Sequence, residues 1–247
     1  MFTIEDKVMF TVGLMDFSLS LVFWYLFLGL LNSIYSISGG LLGVALFFTL
    51  RLAVQALFSV PLGVLADREG VGRVLLALLT VFPLLTVLVY SLSGGFLSSE
   101  AHSLALLLVV ALLVEALITA YNTLKYALPP RLVGVRLERV NAVFEATYSL
   151  LMIMGPGLAA TLIHVGDQGL KVVLVLEASA IAALTLLLVK GFVGRSKAKG
   201  GGHVFRELLS AALEVKECKV LLYTFTTILA ISAAGAIVNL ALSLIHI

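Results

Sequence analysis

Asp16, Arg51, Glu115, Glu145 and Glu177 stand inside long stretches that are otherwise almost wholly apolar. If those stretches cross a bilayer, each charge costs at least about 2.5–3.5 kcal/mol and needs a partner or a wet cavity. Arginine keeps its proton, so a carboxylate must answer Arg51. Glu115 is the first candidate and Glu177 the competing one. A buried carboxylate without a full partner can take up a proton, which makes Glu115 and Asp16 candidates for proton coupling. A purely structural ion pair would use the same residue types. Gln55 lies one turn beyond Arg51 on the same helix face. With Asn32, Tyr121, Asn122, Trp24 and Tyr25 it completes a set of residues able to line a cavity. A mostly apolar wall with few charges suits an amphiphile better than a sugar.

The elements that carry these residues follow from composition. Of 247 residues, 61% are hydrophobic and 12% charged, and the mean hydropathy is +1.16. A soluble domain is about 45–50% apolar and about 25% charged, so soluble and disordered classes are excluded. A single cysteine excludes an internal disulfide framework and a Cys-cluster zinc site. The histidines have no metal-ligand spacing; His102 and His164 fall at span ends. A membrane helix needs about 20 apolar residues, and seven stretches qualify: 8–35, 41–66, 74–92, 104–127, 141–165, 172–189 and 220–245. They lack the ten-residue alternation of barrel strands. Glu5 and Asp6 beside Lys7, with no small-residue cleavage site, speak against a cleaved signal.

Positive charge sets the expected orientation. With the N-terminus in the cytoplasm, the inner segments hold Lys7, Arg68, Arg73, Lys125, Arg131, Arg136, Arg139, Lys190, Arg195, Lys197, Lys199, Arg206, Lys216 and Lys219. Only Lys171 falls in an outer loop. At 1.5 Å per residue, Arg51 lies about 22 Å from the inner end of its span, Glu115 about 18 Å and Glu177 about 20 Å. Asp16 lies about 12 Å along the first span and Glu145 about 6 Å in. Arg51 and Glu115 thus share a depth near the midplane and are expected to pair or to share one polar cavity.

The loop 63–73 is the most specific local pattern. Gly63 would let helices pack closely. Asp67 would end the second helix and cap the third. Gly70 would permit a tight turn at positive φ, and Arg68 and Arg73 would anchor the loop at the inner face. Gly63, Leu65, Asp67, Arg68, Gly70 and Arg73 stand in the register of the helix 2–3 loop signature of the major facilitator superfamily, which this segment resembles. Val71 and Gly72 depart from it, since that family often has basic residues there. The resemblance implies a loop that latches two halves during alternating access, with Asp67 as the latch carboxylate and its partner in a second bundle.

Lys125, Tyr126, Pro129, Pro130 and Arg131, followed by Leu137, Asn141, Ala142 and Glu145, resemble a branch of the superfamily that holds macrolide-efflux-like exporters and lysophospholipid transporters. Lys125, Tyr126 and Glu145 lean toward the lysophospholipid side. Gly155, Pro156 and Gly157 resemble part of the exporter signature of helix 5 and would kink that helix. The flanking glycines of that signature are absent. The usual arginine of helix 4 is also not evident, and Glu115 occupies its neighbourhood.

The expected fold is an all-α membrane protein, a six-helix transporter bundle over residues 1–193. The resemblance implies that it is a 3+3 inverted repeat. A cytoplasmic linker with an amphipathic helix at 204–217 follows over 194–219, and the first helix of an incomplete second bundle over 220–247. A seventh helix that ends the chain without a second bundle, with no polar tail after Leu242–Ile247, gives the expectation of a truncated chain lacking its C-terminal six-helix half; the resemblance of those last residues to translated sequencing adapter is a caution about the C-terminus. The linker's glycine run lacks the Lys-Ser/Thr of a phosphate loop, and a lone aromatic, Phe205, stands among its basic residues, too few for the stacking that single-stranded nucleic acid would require. No nucleophile–base pair, metal set or cofactor fingerprint emerges, so neither an enzyme nor a cofactor is expected. The expected function is secondary transport by alternating access in the inner membrane: proton-coupled export, by exchange, of a small amphiphilic substrate. Lysophospholipid transport is the alternative within that class. A non-transporting scaffold or receptor is the rival outside it.

Overall fold

The computed structural model describes residues 3–93 and 100–193, together with Lys219, Val220, Tyr223, Thr226 and Thr227. The chain divides into a unit of residues 1–200 and a unit of residues 201–247. The expected surface helix at 204–217 lies outside the described residues, as does nearly all of the expected span at 220–245.

Among the described residues the first unit is built of six α-helices and one 3-10 turn, Pro129–Arg131: α1 (Ile4–Ser38), α2 (Leu41–Glu69), α3 (Val71–Ser93), α4 (Glu100–Ala127), α5 (Leu137–His164) and α6 (Asp167–Val189). All six are long and apolar enough to cross a membrane, which makes this a multi-pass membrane protein. Most of these helices overrun the apolar stretches that announce them, because polar residues at a membrane surface continue a helix that hydropathy no longer marks. At the start of α1 the mechanism is visible. Thr3 Oγ1 accepts from the Asp6 amide, and the Asp6 carboxylate accepts from the Thr3 amide at 2.9 Å, a reciprocal cap that satisfies two otherwise orphaned donors. Gly39, with φ +65°, ends the helix in the left-handed conformation.

Helix α1 is the hub, packing on α5, α6 and α4. Helix α4 packs in turn on α2, α1 and α3, and α3 packs on α6. Met15, Leu19, Leu26, Phe47, Phe82 and Phe144 fill the space between them. The outer faces of α2 and α5 carry exposed Leu42, Leu52, Leu57, Phe58, Ile153 and Met154. An apolar exterior of this kind is what spans need where lipid or another bundle covers them.

Glycines mark where backbones come closest, and Gly63 is not one of them: a β-carbon there meets nothing within 4 Å. The close packing expected at Gly63 is therefore not made within this bundle. Among the tight places are Gly155, where an added methyl would strike the Trp24 indole, and Gly169, where it would strike the Leu162 carbonyl across the α5–α6 turn. Backbone cannot yield as a side chain can. Gly169→Ala should therefore cost the upper part of the about 1–3 kcal/mol typical of overpacking, Gly155→Ala less, and Gly63→Ala close to nothing. Thermal unfolding of the three variants in detergent checks the order. A Gly169→Ala protein as stable as wild type would refute this account of the turn.

Candidate functional site

The charged residues fall into three buried groups and one polar end. Glu115 and Glu177 sit at the middles of α4 and α6, and Arg51 one turn from the middle of α2. The Arg51 Nε lies 3.0 Å from Glu115 Oε2, with Glu115 only 2% exposed and Arg51 27% exposed. The contact is charge against charge without hydrogen-bond alignment, since Oε2 has no aligned donor. The guanidinium carbon stands 5.0 Å from the centre of the Phe27 ring, a cation–π contact. Phe27 also packs on Trp24, Phe47 and Phe48 with ring centres 6.0–6.2 Å apart.

The second group was not anticipated. Lys125, expected among the basic residues of an inner loop, is buried at 3% exposure with its Nζ 3.1 Å from Asp16 Oδ1, and Asp16 is fully buried. The Tyr121 hydroxyl donates to the same oxygen at 2.7 Å. The Lys125 ammonium also lies 5.9, 5.1 and 5.3 Å from the rings of Tyr121, Tyr126 and Phe144. Asp16 Oδ2 has no hydrogen-bond partner. Helix direction explains the meeting. Cα–Cβ bonds tilt toward a helix's own N-terminus. Lys125, near the end of α4, therefore leans back into the bundle, while Asp16 leans toward the end of the bundle where α1 starts. The two converge from opposite sides. The available signal was the Tyr121/Lys125 spacing of four, which puts both on one face of α4.

In the third group, Thr86 Oγ1 donates to Glu177 Oε1 at 2.5 Å, with both residues buried. Glu177 Oε2 has no partner, and among the described residues no cation pairs with this carboxylate. Glu177 is thus not the competitor for Arg51 that its depth implied. Near it, Ser18 and Ser179 share a hydrogen bond of 3.1 Å across α1 and α6.

Glu145 lies at the surface and accepts from the Tyr126 hydroxyl at 3.2 Å. Of the remaining cavity candidates, Asn32 and Asn122 are exposed, Gln55 and Trp24 half-buried, and Tyr25 and Tyr121 buried. Tyr121 is closed to a substrate here, because its hydroxyl is spent on Asp16. A shallow groove lined by Ala178, Ile181, Ala182, Thr185, Leu186 and Val189 is apolar and runs along α6 alone, so it is not the polar cavity expected around Arg51.

At the end of the bundle where α1 starts, the loop 63–73 takes a different form from the expected one. Asp67 does not end α2. It lies within the last turn of a helix that continues to Glu69, and Gly70, at φ +91°, makes the break before α3. Asp67 Oδ1 accepts from Arg131 Nη2 at 3.1 Å, so this carboxylate has a partner inside the same unit. Gly72 has a reason of its own: a side chain there would lie 2.5 Å from Leu188 of α6. Arg139 pairs with Glu5 at 3.1 Å. The Val133 amide donates to the Phe192 carbonyl at 2.8 Å, beside an isolated antiparallel bridge from Leu132 to Val193. These contacts tie the α4–α5 connector and the first turn of α5 to α1, α2 and the end of α6. Pro156 lies inside an uninterrupted α5, and Gly155 beside it serves the close approach of Trp24. Arg68 and Arg73 flank the Gly70 break, with Leu65 exposed on α2.

Among the described residues, no group of His, Cys, Asp and Glu could hold a metal ion. Comparison with protein-family models, curated proteins and solved structures finds no match. The likeness to the major facilitators therefore rests on the motif residues themselves.

Removing one partner of a buried ion pair leaves the other charge stranded, at a cost of about 3–5 kcal/mol, whereas replacing both is often nearly neutral. Asp16→Asn and Lys125→Met should each destabilise by that order, and the double variant should recover most of the loss. Unfolding of the three proteins in detergent tests this. Additive losses would mean that the pair does not act as a unit.

Proposed function

We propose that this chain forms a six-helix bundle of a major-facilitator-like secondary transporter, moving a small amphiphile across the inner membrane by proton-coupled alternating access. The observation that carries the reading is the set of ionisable residues near the middles of apolar helices, centred on the half-exposed Arg51 and buried Glu115. Charges at such depth are expensive and mark substrate and ion paths.

Two further features support it. One is the packing pattern under exchange of α1 with α4, α2 with α5, and α3 with α6. The α1–α5 contact then answers to α2–α4, α1–α6 to α3–α4, and α5–α6 to α2–α3, while α1–α4 and α3–α6 map onto themselves. Two three-helix repeats produce such a pattern, as transporters built from inverted repeats do. The match is incomplete, since the α1–α2 and α1–α3 contacts have no equally close counterparts in α4–α5 and α4–α6. The other feature is the 63–73 loop, whose Gly70 break and Asp67–Arg131 pair sit at one end of the bundle. Placing that end in the cytoplasm, as the basic residues favour, gives a latch that is closed within the bundle and that a second bundle would have to engage or release.

The geometry also ranks the proton candidates. Protonating Asp16 or Glu115 breaks an ion pair, whereas protonating Glu177 breaks none. By that measure Glu177 stands first among the coupling candidates, ahead of Glu115 and Asp16.

Proteoliposomes holding the full-length protein, under an imposed pH gradient, test the proposal. Amphiphile flux should depend on the gradient. Glu177→Gln should reduce that dependence at least about tenfold, with uncoupled exchange retained. If Glu115→Gln leaves coupling intact, Glu115 has no coupling role. If neither variant alters it, the proton is carried by another group; flux indifferent to the gradient would exclude protons as the coupling ion, and absence of any flux removes transport.

A further inference from the structure

We infer that Arg51 anchors the headgroup of an anionic amphiphile whose apolar part lies against Phe27, Phe48 and Trp24. The buried carboxylates Asp16, Glu115 and Glu177 are each no more than 2% exposed, whereas Arg51 is 27% exposed. The charge a ligand can reach in mid-bundle is therefore positive. A guanidinium offers five N–H donors in a planar fork. Here its Nε faces Glu115, and Nη1 and Nη2 have no hydrogen-bond partner among the described residues. Those two donors cannot be left against hydrocarbon at mid-membrane depth. They need water or an acceptor, and a carboxylate, sulfate or phosphate fits the fork with two parallel bonds.

The surroundings select the rest of the ligand. Phe27 stacks on the guanidinium, Phe48 and Trp24 extend the aromatic surface, and all three are only half-buried. Gln55, half-buried one turn along α2, offers a neutral polar group on the Arg51 face. An inorganic anion would leave the aromatic surface unused, and a cationic amphiphile would meet Arg51 before it met Glu115.

Trp24 is the chain's sole tryptophan, so its fluorescence reports on this site. The full chain in nanodiscs is titrated with dibrominated octadecyl sulfate, alcohol and ammonium, identical in chain and different in charge. The sulfate should quench Trp24 at several-fold lower concentration than the other two. Glu115→Gln should retain or strengthen that preference, because it frees the guanidinium. Arg51→Gln combined with Glu115→Gln removes both charges together and should abolish it, with helicity and elution unchanged. Equal quenching by all three compounds, stronger quenching by the ammonium, or a preference surviving in the double variant would overturn the inference. Competition by unbrominated phosphatidylglycerol assigns the anion to a lipid headgroup; its absence assigns it to a free amphiphile. The inference deepens the transport reading and takes its physiological meaning from it. Selective quenching without flux would leave the site and remove transport. Flux without sulfate preference would do the reverse.

Discussion

Asp16 meets Lys125 and Tyr121 where α1 crosses α4, and the remainder of the bundle is arranged around that junction. An isolated carboxylate or ammonium in a dry interior is costly by several kcal/mol. Each is acceptable here only because the other stands 3.1 Å away with three aromatic rings around the ammonium. The pair's main effect is on register. Sliding α1 by one turn against α4 would strand both charges in apolar surroundings, a penalty that no rearrangement of Leu and Val could offset. Because α1 also packs on α5 and α6, fixing α1 against α4 fixes the depth of those helices as well.

The polar groups deeper in the bundle inherit that register. With α1 fixed, Ser18 reaches Ser179 on α6, and α6 holds Glu177 against Thr86 of α3. Phe27, about three turns along α1 from Asp16, comes to lie against Arg51 of α2. Polar residues of α1, α3, α4 and α6 thus face one another inside, while α2 and α5 turn broad apolar surfaces outward. Near the middle of the bundle, α2 brings a charged side chain, Arg51, to the margin of the interior. The end of the bundle where α1 starts is closed by a different means. Exposed pairs, Asp67 with Arg131 and Glu5 with Arg139, hold the α4–α5 connector to α2 and the first turn of α5 to α1, and the connector is held to the end of α6 by a backbone bond. Solvated ion pairs are worth about 0–1 kcal/mol each, so this closure can open and re-form as the buried pair cannot.

Much of this was legible in the sequence, and the limits have physical causes. The six helices follow from apolar length alone, and their ends were short only where capping and surface residues prolong them. Arg51 and Glu115 share a depth, and depth is readable at 1.5 Å per residue. The Asp16–Lys125 pair was not readable from depth, because a lysine near a helix end looks like a surface charge until the backward lean of its long stem is taken into account. Glu177 illustrates the opposite case. Its depth matched that of Arg51, but α6 packs on α3 and α1, so it found a threonine instead. Gly63 and Gly72 show that a motif's register does not reveal what its glycines approach. The first meets nothing in this bundle, and the second makes room for Leu188.

The sign of any coupling between ligand and proton follows from the charge at Arg51. A cationic ligand would compete with protons for the carboxylates, which is the logic of exchange. An anion does the reverse. When it takes the guanidinium fork, it weakens the tie to Glu115, already an ion pair without an aligned hydrogen bond. Glu115 is then a buried carboxylate with a diminished counter-charge, and a proton is the simplest way to cancel it. Linkage makes the effect reciprocal: if the anion promotes proton uptake, a proton on Glu115 tightens the hold on the anion by the same factor. An anionic amphiphile at this site would therefore travel with a proton. The exchange expected from the exporter-like motif belongs instead to a ligand of the opposite charge, so the charge of the ligand at Arg51 decides the direction in which protons can drive it.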